Sequence, residues 1–330
     1  MKSNFQVLLY YKYIDLENPE TVRDEQRKLC ESLNLRGRII VAKEGINGTL
    51  EGTLTNTVKY IDAMNRSKYF KDINFKKSAG TGQSFPKLSV KVRPEIIRLG
   101  IPDLNPNKIS GKYISAKELH NWFETNKEFF IVDMRNDYEY ESGFFTGSIF
   151  ADIHNFFDLP KALPKLAHLK GKTIVTVCTG GVRCEKASGL LVQNGFSDVY
   201  QLKDGIQTYM EKYPNQNFKG KLYVFDNRLT LGFNTSDANH EIVGKCKHCQ
   251  KSCDAYVNCA YDFCHLHYIC CDNCKQSFSS SKLNFSSSKQ SLRPSGLRDQ
   301  EINLAFCKNE CKQKYFQTIK LNSQSLNQSL

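Results

Sequence analysis

The apolar positions along residues 5 to 99 fall into short runs separated by polar turns. Val7 to Tyr13 reads as a strand, Pro19 to Leu33 as a helix and Arg38 to Ala42 as a second strand, followed by a glycine-containing turn. Thr49 to Gly52 continues the sheet, and Thr55 to Met64 with the residues after it predicts a second helix. Lys87 to Arg98, with alternating polar and apolar positions, predicts a closing strand. From Tyr113 to about residue 222 apolar strands alternate with helical segments: Phe129 to Met134, Lys172 to Cys178, a helix from Glu185 to Asn194, then Val199 to Leu202. That alternation predicts an α/β domain with a parallel sheet.

The order βαββαβ in the first stretch is the ferredoxin-like pattern. The two prolines and turn residues of Gly100 to Asn107 predict a linker. Beyond Phe225 the composition changes to cysteine, histidine and short polar turns, with too few apolar residues for a core, so a metal is expected in its place. The expected organisation is an α/β and α+β multidomain chain: a ferredoxin-like domain over 1–99, a linker over 100–112, a parallel α/β domain over 113–222 and a Cys-rich region over 223–320. A Ser-rich stretch, 277–291, reads as a flexible insertion, and 321–330 as a disordered tail.

With 330 residues, 40% of them apolar, a wholly disordered or fibrous chain is excluded. No apolar run approaches the roughly 20 residues of a membrane helix. The start runs straight into a strand-like segment without the apolar core of a signal peptide, which leads to an expected place in the cytoplasm. The 46 basic and 34 acidic residues leave a net charge of +12, which favours an anionic partner, nucleic acid first. Of the 13 cysteines, ten lie between Cys246 and Cys311. In a reducing compartment such clustered pairs point to metal rather than to disulfides.

The most informative segment is Thr173-Ile-Val-Thr-Val-Cys178-Thr179-Gly180-Gly181-Val182-Arg183-Cys184. A β-branched run ends at Cys178, a loop with two glycines follows, and a helix opens near Cys184. Such a loop can aim its backbone N–H groups at one point, the helix start adds its positive dipole end, and Arg183 adds a cation. All three lower a thiol pKa, so Cys178 has the setting of a nucleophile. The plainer alternative is a buried strand-end cysteine whose glycines only make the turn. Cys184 reads as a small residue packed at the helix start, or as a partner able to resolve a disulfide with Cys178.

This loop resembles the active-site loop of rhodanese-like domains, in which the cysteine carries persulfide sulfur in a cradle of backbone amides. Ile131-Val-Asp133-Met-Arg135-Asn-Asp-Tyr-Glu139-Tyr140, with Gly143 and Gly147-Ser-Ile149 after it, resembles the rhodanese strand and the region following it, and Asp133 and Arg135 are its supporting residues here. Phe144 stands where many rhodaneses have His. Leu202-Lys-Asp-Gly-Ile206 resembles the closing Gly-Gly motif. Val41-Ala-Lys43-Glu-Gly-Ile-Asn47-Gly-Thr49, Gly220-Lys-Leu-Tyr-Val-Phe-Asp226 and Tyr256-Val-Asn-Cys259 extend the match in order. Together these motifs resemble the rhodanese-domain-containing, oxygen-dependent tRNA uridine 5-hydroxylases, over roughly residues 5 to 315.

That resemblance implies 5-hydroxyuridine formation at the wobble position, with molecular oxygen as co-substrate and Cys178 as the catalytic residue, described by analogy as a persulfide carrier. Addition of the thiolate or persulfide to carbon 6 of uracil would make carbon 5 electron-rich. The implied partner is the tRNA anticodon loop, whose unpaired bases can stack on aromatic or Arg side chains. Lys68-Tyr-Phe-Lys71, Phe75-Lys-Lys77, Lys87, Lys91, Arg93 and Arg98 interleave cations with aromatics, as a phosphate-tracking surface does, and the turn holding Lys43 and Asn47 is the sharper candidate.

Cys246-x2-Cys249 and Cys271-x2-Cys274, 21 residues apart, have the spacing of a four-cysteine zinc site. Cys259-x4-Cys264 and Cys307-x3-Cys311 form a second set interleaved with the first, so up to two structural zinc ions are expected. The family pattern leaves Cys253, Cys270, His265 and His267 as alternate ligands, and free thiols or an iron–sulfur cluster as other readings. The leading function is thus a tRNA hydroxylase. The alternatives are a sulfurtransferase passing persulfide sulfur from Cys178 to a small acceptor or carrier protein, and a noncatalytic RNA-binding or zinc scaffold.

Overall fold

A computed structural model describes residues 3–261, 263–264, 266–279 and 304–327. The chain divides into two compact units, Met1–Glu241 and Ile242–Leu330. The first begins with β1 (Phe5–Tyr13), α1 (Pro19–Ser32), β2 (Arg36–Ala42), β3 (Gly45–Thr53), α2 (Leu54–Asn65), β4 (Lys76–Ala79) and β5 (Leu88–Val92). Helix α1 starts where the Asn18 side chain accepts from the Thr21 amide at 2.9 Å and Pro19 occupies a position needing no N–H. Its buried Val22 and Cys30 meet Leu8, Tyr10, Ile39, Val41 and Leu50 of the sheet in one core, and the buried Gln26 accepts from Tyr60 Oη. The period of two along β1 then turns Leu9, Tyr11 and Tyr13 to the opposite face.

The sheet order is β4-β1-β3-β2-β5, antiparallel except between β2 and β5. Its first four strands have the ferredoxin-like arrangement, but the strand that closes it is Lys76–Ala79 beside β1, not Lys87–Arg98. Lys-Lys-Ser-Ala carries no apolar alternation, because it is an edge strand. Leu88–Val92 is a fifth strand on the far edge.

The second part of this unit comprises β6 (Lys112–Ile114), α3 (Ala116–Glu124), β7 (Phe130–Asp133), α4 (Asp137–Tyr140), β8 (Gly143–Phe145), β9 (Ile149–Phe150), α5 (Leu159–Leu166), β10 (Thr173–Val177), α6 (Val182–Gln193), β11 (Asp198–Leu202) and α7 (Gly205–Lys212). Strands β6-β11-β10-β7-β9 form an all-parallel sheet. Central β10 is covered on both faces: Ile174 joins the cluster with α5 and α6, and Val175 and Val177 the cluster with α3 and α7. Double burial explains its unbroken β-branched run. Then follow β12 (Phe218–Gly220), paired with β8, and the hairpin β13 (Leu222–Tyr223) and β14 (Thr230–Leu231).

The first unit therefore extends to Glu241, past residue 222, the expected end of the α/β domain. Leu222, Tyr223 and Val224 are buried, and Arg228 donates to Ser78 Oγ at 2.8 Å and to the Ala79 carbonyl at 2.9 Å, which ties the hairpin to the β4 edge. The second unit holds β15 (Tyr256–Asn258), β16 (His267–Ile269), α8 (Asp272–Ser279) and α9 (Asn309–Asn327). Helix α9 continues to Asn327, where a disordered tail was expected from 321. No proline or glycine interrupts that stretch. Residues 280–291 of the Ser-rich stretch lie outside the described residues. Among those described, no helix is long and apolar enough to cross a membrane.

Candidate active site

Strand β10 ends at Val177 and α6 begins at Val182, three residues earlier than expected, so Cys178 to Gly181 form the whole connection. Gly181 has φ +101°, a conformation that turns the chain into the helix and that L side chains rarely adopt. The turn aims the Gly181 N–H at Cys178 Sγ, 3.2 Å away. Burial alone would push the buried Cys178 thiol up. A hydrogen bond from the Cys184 thiol, the Arg183 charge and the amides of Cys184 and Arg183 outweigh burial and bring it down to about 5. The loop thus favours the thiolate of Cys178 over its thiol. Burial and the neighbouring Cys178 charge hold Cys184 up, so it stays a thiol and donates.

Arg183 is held by Glu139: Nη1 donates to Oε2 at 2.5 Å and Nη2 to Oε1 at 2.7 Å. Glu139 also accepts from Thr179 Oγ1 at 3.2 Å and from the Asn136 amide at 3.0 Å. Beneath it the buried Arg135 grips Asp133, Nη2 to Oδ2 at 2.6 Å, and donates to the carbonyls of Gly143 at 2.6 Å and Glu139 at 3.3 Å. Asp133 and Arg135 therefore fix the backbone that carries Glu139. On the other side, the first turn of α7 holds the loop through Ile206 N–H to the Cys178 carbonyl at 2.9 Å and Gln207 N–H to the Thr179 carbonyl at 3.1 Å.

The outer face of β1 covers this loop. A Cβ on Gly180 would lie 2.9 Å from Leu9 Cδ2, and one on Gly181 2.8 Å from Tyr11 Oη. Tyr13 Oη donates to the Val182 carbonyl at 3.1 Å. Lys76, opposite Leu9 in the sheet, is buried with Asp204 Oδ1 3.5 Å from its ammonium. Lys76 is thus no part of a surface that tracks phosphates, and neither is the buried Phe70.

In the second unit, Cys246, Cys249, Cys271 and Cys274 come together, as do Cys259, Cys264, Cys307 and Cys311, with all sulfurs of a set within 4.8 Å of one another. Separations of 3.6 Å for Cys249–Cys271 and 3.5 Å for Cys264–Cys307 and Cys307–Cys311 are too long for disulfides. They fit thiolates around one tetrahedral ion, whose sulfurs stand about 3.8 Å apart at zinc–sulfur bond lengths. Each set can hold a metal. Cys253, Cys270 and His267 stand outside both sets, and His267 Nδ1 pairs with Asn258 Oδ1 at 2.8 Å. His265 lies outside the described residues.

Residues 5–96 match the UPF0176 acylphosphatase like domain, 115–212 the rhodanese-like domain and 219–285 the rhodanase C-terminal family. A protein of Bacillus licheniformis named tRNA uridine(34) hydroxylase is 42% identical over 274 residues, 82% of this chain and 84% of its own. One of Bacillus cereus with the same name is 43% identical over 270 residues, 81% of this chain and 84% of its own. The chain belongs to the tRNA uridine(34) hydroxylase family. A crystal structure of a rhodanese-like domain protein from Staphylococcus aureus is 27% identical, covering 30% of this chain and 90% of that one, with a TM-score of 0.26.

Phe144, at the position where many rhodaneses carry His, stacks on Tyr140 with ring centroids 4.9 Å apart, so no imidazole stands there in this family member. Lys43, Lys87, Lys91 and Arg93 are exposed, while the Asn47 side chain is tied to the Ile96 carbonyl at 3.1 Å. Register places Lys91, Ile40, Asn47 and Tyr11 in one row across the sheet, so Lys91 shares the face that β1 turns to the loop. Arg98 lies over the Phe157 ring at 5.2 Å. Sequence reasoning passed over Arg38, which shares that face and donates to the Phe225 carbonyl, and over Phe225 itself, an exposed ring beside the Arg183 guanidinium at 5.8 Å. It also passed over Tyr11 and Glu185. Nothing local marks these residues, since each finds its partner in a distant element.

Proposed function

We propose that this protein hydroxylates carbon 5 of the wobble uridine of tRNA in an oxygen-dependent reaction, with Cys178 as the reactive thiol. The observation that carries the role of Cys178 is the position of its sulfur, 3.2 Å from the Gly181 N–H in the four-residue loop that opens α6, where the Arg183 charge, the Cys184 thiol and the loop amides favour the thiolate. The relatives named tRNA uridine(34) hydroxylase, similar over four fifths of the chain, supply the reaction and the substrate. The thiolate is a nucleophile at neutral pH, and the same amides can receive the charge of a persulfide. Thr179, Gly180, Gly181, Val182 and Arg183 form the cradle, and Asp133 and Arg135 keep Glu139 in place behind Arg183.

Lys43, Lys87, Lys91 and Arg93 offer cations to the anticodon-loop phosphates, and the exposed Phe225 ring offers a stacking surface next to Arg183. The eight clustered cysteines suit two zinc ions in closed, structural sites, where the metal holds together a unit poor in apolar residues. With tRNA as substrate, the expected place of the protein is the cytoplasm. The test is mass spectrometry of nucleosides from bulk tRNA: cells lacking the protein lose a uridine carrying one extra oxygen and regain it on complementation. An unchanged profile would contradict the proposal. The amide cradle also suits sulfur transfer to a small acceptor, which thiosulfate-dependent cyanide turnover by the purified chain would reveal.

A further inference from the structure

Glu185 sits in the first turn of α6, just beyond the Cys178 loop, and is buried. Among the described residues no Lys, Arg or His forms an ion pair with it: Arg183 is committed to Glu139, and Lys186 to Glu44 and Glu95. Its carboxylate is satisfied by neutral donors instead. Tyr11 Oη donates to Oε1 at 3.0 Å, Tyr113 Oη lies 2.9 Å from Oε1 and 3.0 Å from Oε2, and Gln201 Nε2 donates to Oε2 at 3.1 Å. A buried carboxylate without a cation keeps a high affinity for a proton. Burial pushes Glu185 above the usual range, the hydrogen bonds from Tyr113, Tyr11 and Gln201 pull the other way, and the Cys178 charge adds to the rise.

The two tyrosines reach in opposite directions. Tyr11 presses its hydroxyl against Gly181, whose amide holds the Cys178 sulfur, whereas Tyr113 is 55% exposed on the outer side. Hydroxyl, carboxylate and hydroxyl thus run from the covered Cys178 loop to solvent, contributed by β1, α6 and β6. Cys178 is fully buried, so a reaction there that replaces a ring hydrogen by hydroxyl needs a protein path for the proton.

We propose that Tyr11, Glu185 and Tyr113 are the proton relay of the hydroxylation site, an inference that rests on the hydroxylase reading of Cys178. A proton released at carbon 5 is taken up by Tyr11 Oη as the hydroxyl proton of Tyr11 passes to Glu185 Oε1. The proton on Glu185 then moves to Tyr113 Oη as the Tyr113 proton passes to water. Each group returns to its starting state, and no electrons move in this step. In this assignment Tyr11, beside the Cys178 loop, is the end of the relay that receives the proton, and Glu185 and Tyr113 act through it.

The test uses full-length variants in cells lacking the protein and follows the initial rate of 5-hydroxyuridine accumulation in bulk tRNA after induction. Tyr11→Phe and Glu185→Gln are expected to slow it at least about tenfold. Gln keeps an acceptor for both hydroxyls but cannot take a proton, whereas Glu185→Asp keeps the acid and recovers part of the rate. Tyr113→Phe, on a half-exposed residue, slows the reaction as well. The variants are compared below their melting transitions, since Glu185→Gln would set its new amide against that of Gln201, and the rate of Cys178 alkylation by iodoacetamide stays at the wild-type value, which separates lost proton transfer from lost structure. Wild-type rates in Glu185→Gln, or an Asp variant as slow as Gln with Cys178 alkylation unchanged, would overturn the relay. A wild-type protein that makes no 5-hydroxyuridine would instead remove the hydroxylase reading and the relay with it.

Discussion

Arg183 and Glu139 form a two-point ion pair, 2.5 and 2.7 Å, with both side chains buried within the Cys178 loop and its support. The pair fixes the cation beside the thiolate, and it makes the reactivity of Cys178 a pH-dependent quantity. With the thiol brought down to about 5, alkylation by iodoacetamide rises as pH passes 5 and is flat through neutrality, because the thiolate is the attacking form. In Arg183→Met the cation that favours the thiolate is gone, so the midpoint moves up. A shift of about one unit slows alkylation at pH 5 several-fold. Peptide mass spectrometry resolves Cys178 from the other cysteines, and an unmoved midpoint would contradict this role of Arg183.

Lys186 joins the two halves of the first unit. Its ammonium is buried 2.8 Å from Glu44 and 2.6 Å from Glu95, and it donates to the Ile97 carbonyl at 3.2 Å. Lys186→Met leaves two partly buried carboxylates facing each other without a cation. The expected loss is about 3 kcal/mol in urea unfolding.

Leu9 covers the loop without a polar contact of its own. Leu9→Ala is expected to speed alkylation of Cys178 at pH 7 severalfold while its pH midpoint stays in place, since the groups that ionise the thiol are untouched. Equal rates in the variant and wild type would show that access is set elsewhere.

The cysteine sets make a prediction about metal content. Purified full chain is expected to carry two zinc ions by elemental analysis, and Cys259→Ser one, because the Cys246 set shares no ligand with the Cys259 set. A stoichiometry unchanged by Cys259→Ser would contradict the assignment.

The Cys178 loop was legible because its signals are contiguous: β-branched strand, two glycines and helix start all lie between Thr173 and Glu185. Cysteine spacing likewise brought out both four-sulfur sets, since short CxxC-type steps reflect local geometry. What escaped depends on contacts across long separations. Lys76 reads as one of a run of surface cations, yet its partner Asp204 comes from a loop far along the chain. Glu139 was visible in a motif, but its hold on Arg183 is a property of the folded loop. β4 was missed for a related reason: an edge strand of Lys-Lys-Ser-Ala has no apolar period to betray it.

The role of Cys178 in the hydroxylation is read from the nucleoside profile of bulk tRNA in cells lacking the protein and complemented with either wild type or Cys178→Ser at equal protein levels. Wild type is expected to restore 5-hydroxyuridine at position 34, and Cys178→Ser, folded and still binding tRNA, to restore none. Restoration by the serine variant would contradict that role.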